Sequence, residues 1–154
     1  MKIALGADHR GNAAVRTLLA KLAGEGHDVH ILGDCGGEVC DYPEPASLVA
    51  RAVASGQAER GVLICGTGIG MSIAANKVPG VRAAVVHDEL TAQLSRSHND
   101  ANVLCLSGDL LGVRLIEKIV EVFLRTPFDG GRHARRVKKI EAMEHGREPA
   151  SVTD

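Results

Sequence analysis

A lone cysteine, Cys65, directly precedes the glycine-rich segment GTGIG at residues 66–70. The three glycines let the backbone turn sharply and approach a ligand without an intervening Cβ. A helix beginning after this segment adds unpaired N–H groups and a positive dipole end, which suit a phosphate or an oxyanion. A thiol in such a place ionises more readily, and it can abstract a proton from a carbon next to a carbonyl while the amides hold the enediolate.

Two further pairs of residues have types that suit proton transfer. Asp8 and His9 follow the first apolar run and can shuttle protons between sugar oxygens, although a helix cap and a surface imidazole are the structural alternative. His98 and Asn99 precede the last apolar run, where they offer an acid–base group and an amide that can orient a hydroxyl. A histidine in a polar loop is otherwise simply solvated.

The C-terminal segment carries Arg132 and Arg136 at i, i+4 spacing, which puts both guanidinium groups on one helix face. Two adjacent guanidinium groups form a strong phosphate clamp, and a solvated basic face is the alternative. A nucleic-acid surface is disfavoured because the patch is short, the chain carries a net charge of −1 and it has few aromatic residues.

The same residues admit three other interpretations. Cys65 alone is typical of a small buried hydrophobe, and together with His98 and Asp8 it could form a cysteine hydrolase. A nucleotide-binding module is suggested by Asp88, which lies 22 positions after Gly66. The G-x-G-x-G spacing, the short helix before Pro79 and the lack of a Gly-Lys-Ser/Thr ending all disfavour it.

Five short aliphatic runs have the pattern of strands buried on both faces, at 2–7, 28–32, 61–65, 82–86 and 102–106. They alternate with helix-patterned segments, which predicts a five-stranded parallel sheet covered on both sides. The expected fold is therefore a single three-layer α/β/α, Rossmann-like domain over residues 1–146. Residues 147–154 are expected to be a loose tail.

The helix patterns predict which residues face the core. The segment 12–26 should bury Val15, Leu18, Leu19 and Leu22, and the segment 43–55 should bury Leu48, Val49 and Val53. Shorter or later helices are expected after Gly70, over about 88–97, over 110–125 and over 132–146. Ligands of such sheets bind beyond the carboxyl ends of the strands. We expect the polar residues near Asp8, Cys65, 87–89 and 97–100 to gather there.

Composition bounds the class of protein. The 154 residues include no Trp, one Tyr and two Phe, so the core must be aliphatic. No run approaches the roughly 18 apolar residues of a membrane span, and the N-terminus does not resemble a secretory signal. We therefore expect a cytoplasmic protein whose four cysteines remain thiols. Cys35 and Cys40 are close in sequence but lack a second pair, so they make a poor zinc site.

Five segments together resemble the type B ribose-5-phosphate isomerases, a family that also includes allose- and galactose-6-phosphate isomerases. The segments are GADHRG (6–11), DYP (41–43), GVLICGTGIGMSIAANK (61–77), RSHNDANVL (96–104) and GGRHARRVKKI (130–140). The resemblance runs in order from residue 1 to about residue 144. It implies an aldose–ketose isomerase that works through a cis-enediol without metal or cofactor, as a dimer or tetramer with shared active sites.

By this resemblance, Cys65 is the base that moves a proton between C1 and C2, and Thr67 supports the reacting oxygens. The oxyanion hole is the backbone of Gly66, Gly68, Ile69 and Gly70. His98 would open the sugar ring, and Asp8 would relay protons between O1 and O2. The resemblance implies that His9, Arg132 and Arg136 bind the phosphate and that Asn99 binds a sugar hydroxyl. It also implies that His98, Arg132 and Arg136 come from a partner subunit.

One residue departs from the family pattern. Asp109 stands where an arginine that helps to bind phosphate is expected. A carboxylate there repels a phosphate dianion unless a cation screens it, and Arg10 and Arg114 are the candidates. Ribose 5-phosphate is the expected substrate, with allose 6-phosphate, galactose 6-phosphate and a tetrose phosphate as alternatives.

Overall fold

A computed structural model, which describes residues 1–35 and 38–153, contains one five-stranded parallel sheet. The strand order is β2-β1-β3-β5-β4, and every pairing is parallel. The strands are β1 (Lys2–Ala7), β2 (Asp28–Ile31), β3 (Arg60–Cys65), β4 (Ala83–Val85) and β5 (Val103–Ser107). All five predicted strands are confirmed to within a residue or two at each end.

Helices follow the strands in alternation, as predicted. They are α1 (Asn12–Gly24), α2 (Pro43–Ala54), α3 (Ile69–Ala75), α4 (Glu89–Asn99), α5 (Val113–Arg125) and α6 (Arg132–Glu144). A short 3₁₀ helix follows at Pro149–Ser151. No helix among the described residues is long and apolar enough to cross a membrane.

Alternate residues of each strand face opposite layers of the core. On one face, Ile3, Leu5, Val62 and Ile64 pack with the buried side chains of α1 and α5. On the other face, Leu63 and Cys65 pack with the residues of α2 and α3. This alternation follows from the two-residue period of a strand, and it confirms the predicted three-layer α/β/α fold. It also places the Cys65 side chain on the face that α3 covers.

The predicted helix faces are confirmed with one exception. Val15, Leu18 and Leu22 are buried, and Leu19 packs partly against the same cluster. In α2, the pair at i, i+4 formed by Val49 and Val53 faces the sheet, but Leu48 is 52% exposed. The prediction was wrong for Leu48 because alanines, which share the Val49 face, bring this helix close to the sheet and leave Leu48 at its margin.

The four cysteines divide into two pairs. Cys65 and Cys105 are free and buried, as expected. Cys35 and Cys40 form a disulfide, with Cα atoms 5.9 Å apart. The expectation that all four remain thiols is therefore wrong for this pair, whose Cα separation suits a disulfide.

A glycine at the start of α1 sets how closely that helix meets the sheet. A Cβ on Gly11 would lie 2.2 Å from the Ile64 carbonyl oxygen, which belongs to the β3 backbone. We expect Gly11→Ala to lower the free energy of unfolding by about 3 kcal/mol or more, since a backbone must move to admit the methyl group. Urea denaturation followed by circular dichroism, at fixed protein concentration, measures this change.

Gly24, the last residue of the same helix, provides the matched control. A Cβ there would meet no atom within 4 Å. Gly24→Ala should leave stability within about 1 kcal/mol of wild type, shifted toward higher stability by the reduced backbone entropy of the unfolded chain. Equal stability of the two variants would contradict the close approach of Gly11 to β3.

Candidate active site

The loop after β3 is fastened to the loop after β5. The Gly108 amide donates to the Cys65 carbonyl at 2.8 Å, and the Ser107 hydroxyl donates to the Gly66 carbonyl at 2.6 Å. The Asp109 amide also donates to Gly66, at 3.2 Å. These bonds occupy the carbonyls of the first two loop residues. They fix the position of the loop relative to β5.

The Cys65 thiol lies within the turn of the glycine loop. Its Sγ accepts a hydrogen bond from the Gly68 amide at 3.1 Å, and the residue is 4% exposed. Gly68 has a φ of 80°, and a Cβ there would meet the Leu106 backbone at 3.1 Å, so only glycine suits this position. An amide hydrogen bond stabilises a thiolate more than a thiol, because the charged acceptor binds the donor more strongly.

Thr67 and Ile69 are both exposed at the outer side of the loop. The Ile69 amide donates to the Thr67 hydroxyl oxygen at 3.3 Å. None of the described residues accepts a hydrogen bond from the amides of Thr67 and Gly70. These two N–H groups therefore have no acceptor within the described residues, whereas the amides of Gly68 and Ile69 are bonded inside the loop.

Cys105, the other free cysteine, has a different environment. It lies in the middle of β5, fully buried between the sheet and α3. Burial, and then the neighbouring Cys65, raise the pKa of the Cys105 thiol far above its ordinary value. Cys105 thus stays protonated, and Cys65 is the cysteine placed at the end of a strand beside free amides.

Asp8 is buried just after β1, and only one of its two carboxylate oxygens is hydrogen-bonded within the described residues. Its Oδ1 accepts hydrogen bonds from the amides of Arg10, at 2.9 Å, and Gly11, at 3.2 Å. None of the described residues donates to Oδ2. The structural role of a turn cap and the proposed proton relay therefore use different oxygens of the same carboxylate. His9 is exposed next to it.

Two contacts close over the glycine loop: Asp109 pairs with Arg10, one of the two cations expected to screen it, and Tyr42 makes a contact that was not predicted. Arg10 and Asp109 form an ion pair over Gly66, whose Cβ position lies 3.0 Å from Asp109 Oδ2 and 3.2 Å from Arg10 Cδ. The Tyr42 ring covers Gly70, where a Cβ would lie 2.6 Å from the ring carbons. Tyr42 is the only tyrosine in the sequence and lies in the DYP motif, and this position is the one sequence feature that could have indicated a role at the site. We call the loop, Asp8, His9, Arg10 and Asp109 the glycine-loop cluster.

His98 and Asn99 do not lie at this end of the sheet. The Asn99 carbonyl accepts a hydrogen bond from Arg82 Nε at 3.1 Å, and Arg82 immediately precedes β4. Both residues belong to the last turn of α4, which runs back from the carboxyl end of β4 to the amino end of β5. The expectation that residues 97–100 gather beside Cys65 is therefore wrong within one chain, because helices in such folds run antiparallel to the strands.

The turn after α4 is held by charge. Asp100, in the left-handed conformation with φ 46°, accepts from Arg82 at 2.8 Å and from Arg96 at 2.7 Å. Arg96 is 3% exposed, and its guanidinium also donates to the Ala101 carbonyl at 2.6 Å. These bonds end α4 and direct the chain into β5, which fixes the His98 backbone.

The first turn of α6 meets the last turn of α4. The rings of His98 and His133 stack with centroids 4.1 Å apart and planes 8° from parallel. Arg132 Nε donates to His133 Nε2 at 3.4 Å, and the Arg132 and Arg136 side chains are exposed. The structure therefore brings together His98, Asn99, Arg132 and Arg136, with His133 as an unpredicted fifth member. We call these five residues the basic cluster.

Ligand atoms of His98, His133 and Asp129 lie within 4.8 Å of one another, a grouping that raises the question of a metal. A metal bound by imidazole lies near the plane of each ring, along the nitrogen lone pair. Two nearly parallel stacked planes do not converge on one such point. The observed ring arrangement therefore suits mutual stacking rather than joint coordination.

Asp88, the acidic residue weighed for dinucleotide binding, is a helix cap. Its Oδ1 accepts from the Thr91 amide at 2.7 Å at the start of α4. This bond is the main reason that the pKa of Asp88 lies below its ordinary value. The cap accounts for the residue without a ribose ligand.

A cavity of about 570 Å³ opens near the amino ends of β4 and β5. Its lining includes Arg82, Asn99, Ile140 and Met143, and neither Cys65 nor residues 66–70.

Comparison with known proteins decides the family. A sequence profile described as Ribose/Galactose Isomerase matches residues 3–140. The chain belongs to the ribose/galactose isomerase family. Ribose-5-phosphate isomerase B of Escherichia coli (strain K12) is 47% identical over 146 residues, which are 95% of this chain and 98% of that protein. The D-erythrulose-4-phosphate isomerase of Pectobacterium atrosepticum is 40% identical, covering 94% and 96% of the two chains.

The fold comparison agrees. The solved structure of Clostridium thermocellum ribose-5-phosphate isomerase B superposes with a TM-score of 0.93 at 48% identity, covering 95% of this chain and 99% of that one. The family match includes both ends of the sheet. The glycine-loop cluster and the basic cluster therefore both belong to the family domain.

His133 makes the stability of the basic cluster depend on pH. Burial, followed by His98, Arg132 and Arg136, lowers the pKa of His133, and Asp129 opposes this effect. The unfolded chain therefore takes up this proton first, so the contribution to stability is present above the unfolded pKa of about 6.5 and is lost as pH falls from there through the lowered pKa of the folded state. We expect His133→Gln to lose less Tm than wild type between about pH 7.5 and about pH 5.

The control for this experiment is His87→Gln, which removes an exposed histidine. Its loss of Tm over the same range should equal that of wild type. A wild-type pH dependence in the His133 variant would show that the stacked pair does not carry the linkage.

Proposed function

We propose that this protein is an aldose–ketose isomerase of phosphorylated sugars that interconverts ribose 5-phosphate and ribulose 5-phosphate. Family membership and the names of the similar proteins support the reaction class. The observation that carries the mechanism is the hydrogen bond from the Gly68 amide to Cys65 Sγ, beside the free amides of Thr67 and Gly70.

In the proposed reaction, the Cys65 thiolate takes the proton from C2 of the open-chain aldose. The C–H electron pair forms the C1–C2 double bond, and the carbonyl pair moves onto O1, where the loop amides stabilise the charge. Asp8 Oδ2 carries the O2 proton to O1, and Cys65 returns its proton to C1. The result is the ketose, with no net oxidation and no cofactor consumed.

The remaining roles fall to the basic cluster and to His9. His98 opens the furanose ring, Asn99 holds a sugar hydroxyl, and Arg132 and Arg136 bind the phosphate with His9. Because the basic cluster lies at the amino end of the sheet and Cys65 at the carboxyl end, a second copy of the chain must supply it. The proposed assembly is a homo-oligomer, a dimer or a tetramer, with active sites shared between subunits.

Two observations weigh against the alternatives. A hydrolase built from Cys65, His98 and Asp8 would also need a partner subunit to supply His98, and the family that matches is one of isomerases. A nucleotide module would need Asp88, which caps α4. Among sugar phosphates, the similarity to a D-erythrulose-4-phosphate isomerase makes a tetrose phosphate the second substrate to test, ahead of allose 6-phosphate and galactose 6-phosphate.

Loss of the thiol tests the mechanism. We expect Cys65→Ala to lower kcat for ribose 5-phosphate by several orders of magnitude while the circular dichroism spectrum is unchanged, because no other base replaces the sulfur. Cys105→Ala, which removes the other free thiol from the core, should lower stability but retain most of the turnover. Near wild-type turnover by the Cys65 variant would rule out the thiolate mechanism.

Mixed oligomers test the shared site. Cys65→Ala and His98→Ala subunits, each inactive alone, should regain roughly a quarter of wild-type activity when they are unfolded together and reassembled. Random pairing makes half the dimers hybrids, and each hybrid has one intact site of two. If Cys65 and His98 of the same chain acted together, the mixture would stay inactive.

The phosphate clamp is tested by Arg136→Ala. Since the phosphate is remote from C1 and C2, its binding energy is expected chiefly to lower KM. The variant should raise KM for ribose 5-phosphate about tenfold or more, the effect of losing one charge-assisted hydrogen bond. A fall in kcat alone would assign Arg136 to the chemical step.

A further inference from the structure

The ion pair between Arg10 and Asp109 joins the loops that follow β1 and β5. Arg10 Nε donates to Asp109 Oδ1 at 2.9 Å and to Oδ2 at 2.7 Å, so a single N–H engages both carboxylate oxygens. Among the described residues, none accepts a hydrogen bond from the Nη atoms of Arg10. The guanidinium therefore keeps its two terminal nitrogens for another acceptor.

The position of this pair relates it to the reacting groups. It lies over Gly66, the residue after Cys65, and the Arg10 amide is bound to Asp8. The loops after β1 and β5 lie so close that residue 108 must be glycine, since a Cβ there would lie 2.8 Å from the Arg10 carbonyl oxygen. Arg10 thus lies at the rim of the glycine loop, and its side chain is 54% exposed.

Charge decides what the pair can do. An unpaired Asp109 carboxylate beside Gly66 would repel an anionic substrate, and the hydrogen bond with Arg10 cancels that charge. The same bond restrains Nε, and the unbonded Nη atoms of this half-exposed side chain remain as a pair of donors. Planar paired donors of this kind match the oxygens of a phosphate.

We propose that Arg10 is a substrate-binding residue for the phosphate of the sugar, and that Asp109 is its positioning residue. This inference rests on the proposed function, because it takes the ligand to be a sugar phosphate. It assigns a role to the acidic residue that the sequence left without one. It also makes the repulsion by Asp109 conditional on Arg10.

The probe is ribitol 5-phosphate, which lacks a carbonyl and cannot be turned over. Calorimetric titration of the full-length protein gives its Kd, and assays with ribose 5-phosphate give kcat and KM. Arg10→Ala should weaken ribitol 5-phosphate about tenfold or more and raise KM similarly, with a smaller change in kcat, because it removes a donor and leaves Asp109 unpaired.

The double variant Arg10→Ala/Asp109→Ala separates neutralisation from direct binding. It should bind ribitol 5-phosphate more tightly than Arg10→Ala alone, since the repelling carboxylate is gone, but less tightly than wild type. Asp109→Ala completes the cycle. The matched control is Arg125→Ala, which breaks the exposed Arg125–Glu121 pair at the end of α5 and should leave Kd and KM unchanged.

Three outcomes overturn the inference: a Kd for Arg10→Ala equal to that of Arg125→Ala, tighter binding by Arg10→Ala, or no recovery in the double variant. The proposed function fails separately, when the wild-type protein isomerises none of the four-, five- and six-carbon aldose phosphates. In that case the inference is supported if the wild-type protein binds ribitol 5-phosphate and the Arg10→Ala variant does not. A wild-type protein that does not bind ribitol 5-phosphate overturns it.

Discussion

The parallel pairing of β3 with β5, continued past the ends of both strands, is the constraint on which the site depends. Cys65 is in register with Ser107. Hydrogen bonds continue past both strand ends, because Ser107, Gly108 and Asp109 donate to the carbonyls of Cys65 and Gly66. Because the carbonyls of Cys65 and Gly66 are occupied on the β5 side, the start of the turn is fixed relative to β5. The left-handed Gly68 then brings an amide to the sulfur.

The same pairing explains why one cysteine is suited to chemistry and another is not. Cys65 and Cys105 belong to adjacent strands and to the same layer of the core. Cys105 lies mid-strand, where burial raises the pKa of its thiol, whereas Cys65 lies where the strand gives way to free amides. Both residues are buried, so the two thiols differ in their position along the strand and in the amide that Gly68 donates to Cys65.

Helix direction divides the functional residues between two ends of the sheet. The glycine-loop cluster follows strands β1, β3 and β5, whereas the basic cluster lies in the last turn of α4 and the first two turns of α6. A fold in which helices run antiparallel to strands cannot bring such groups together within one subunit when both sets lie next to the sheet. The division gives a physical reason for an active site between subunits, in which each copy contributes a different end.

Much of this could be predicted from the sequence because it depends on local pattern. Aliphatic runs and glycine positions identified the five strands, the helices that cover them and the turn after Cys65, and five motifs identified the family. Leu48, the Cys35–Cys40 disulfide and the placement of residues 97–100 were predicted wrongly, because each depends on how a segment meets a distant one. The partnership of Arg10 with Asp109 joins residues 99 positions apart, and the stacking of His98 on His133 joins two helices. Local pattern determined which elements form, whereas only the packing of those elements decided which side chains meet, since contact energies between distant residues leave no periodic trace in the chain.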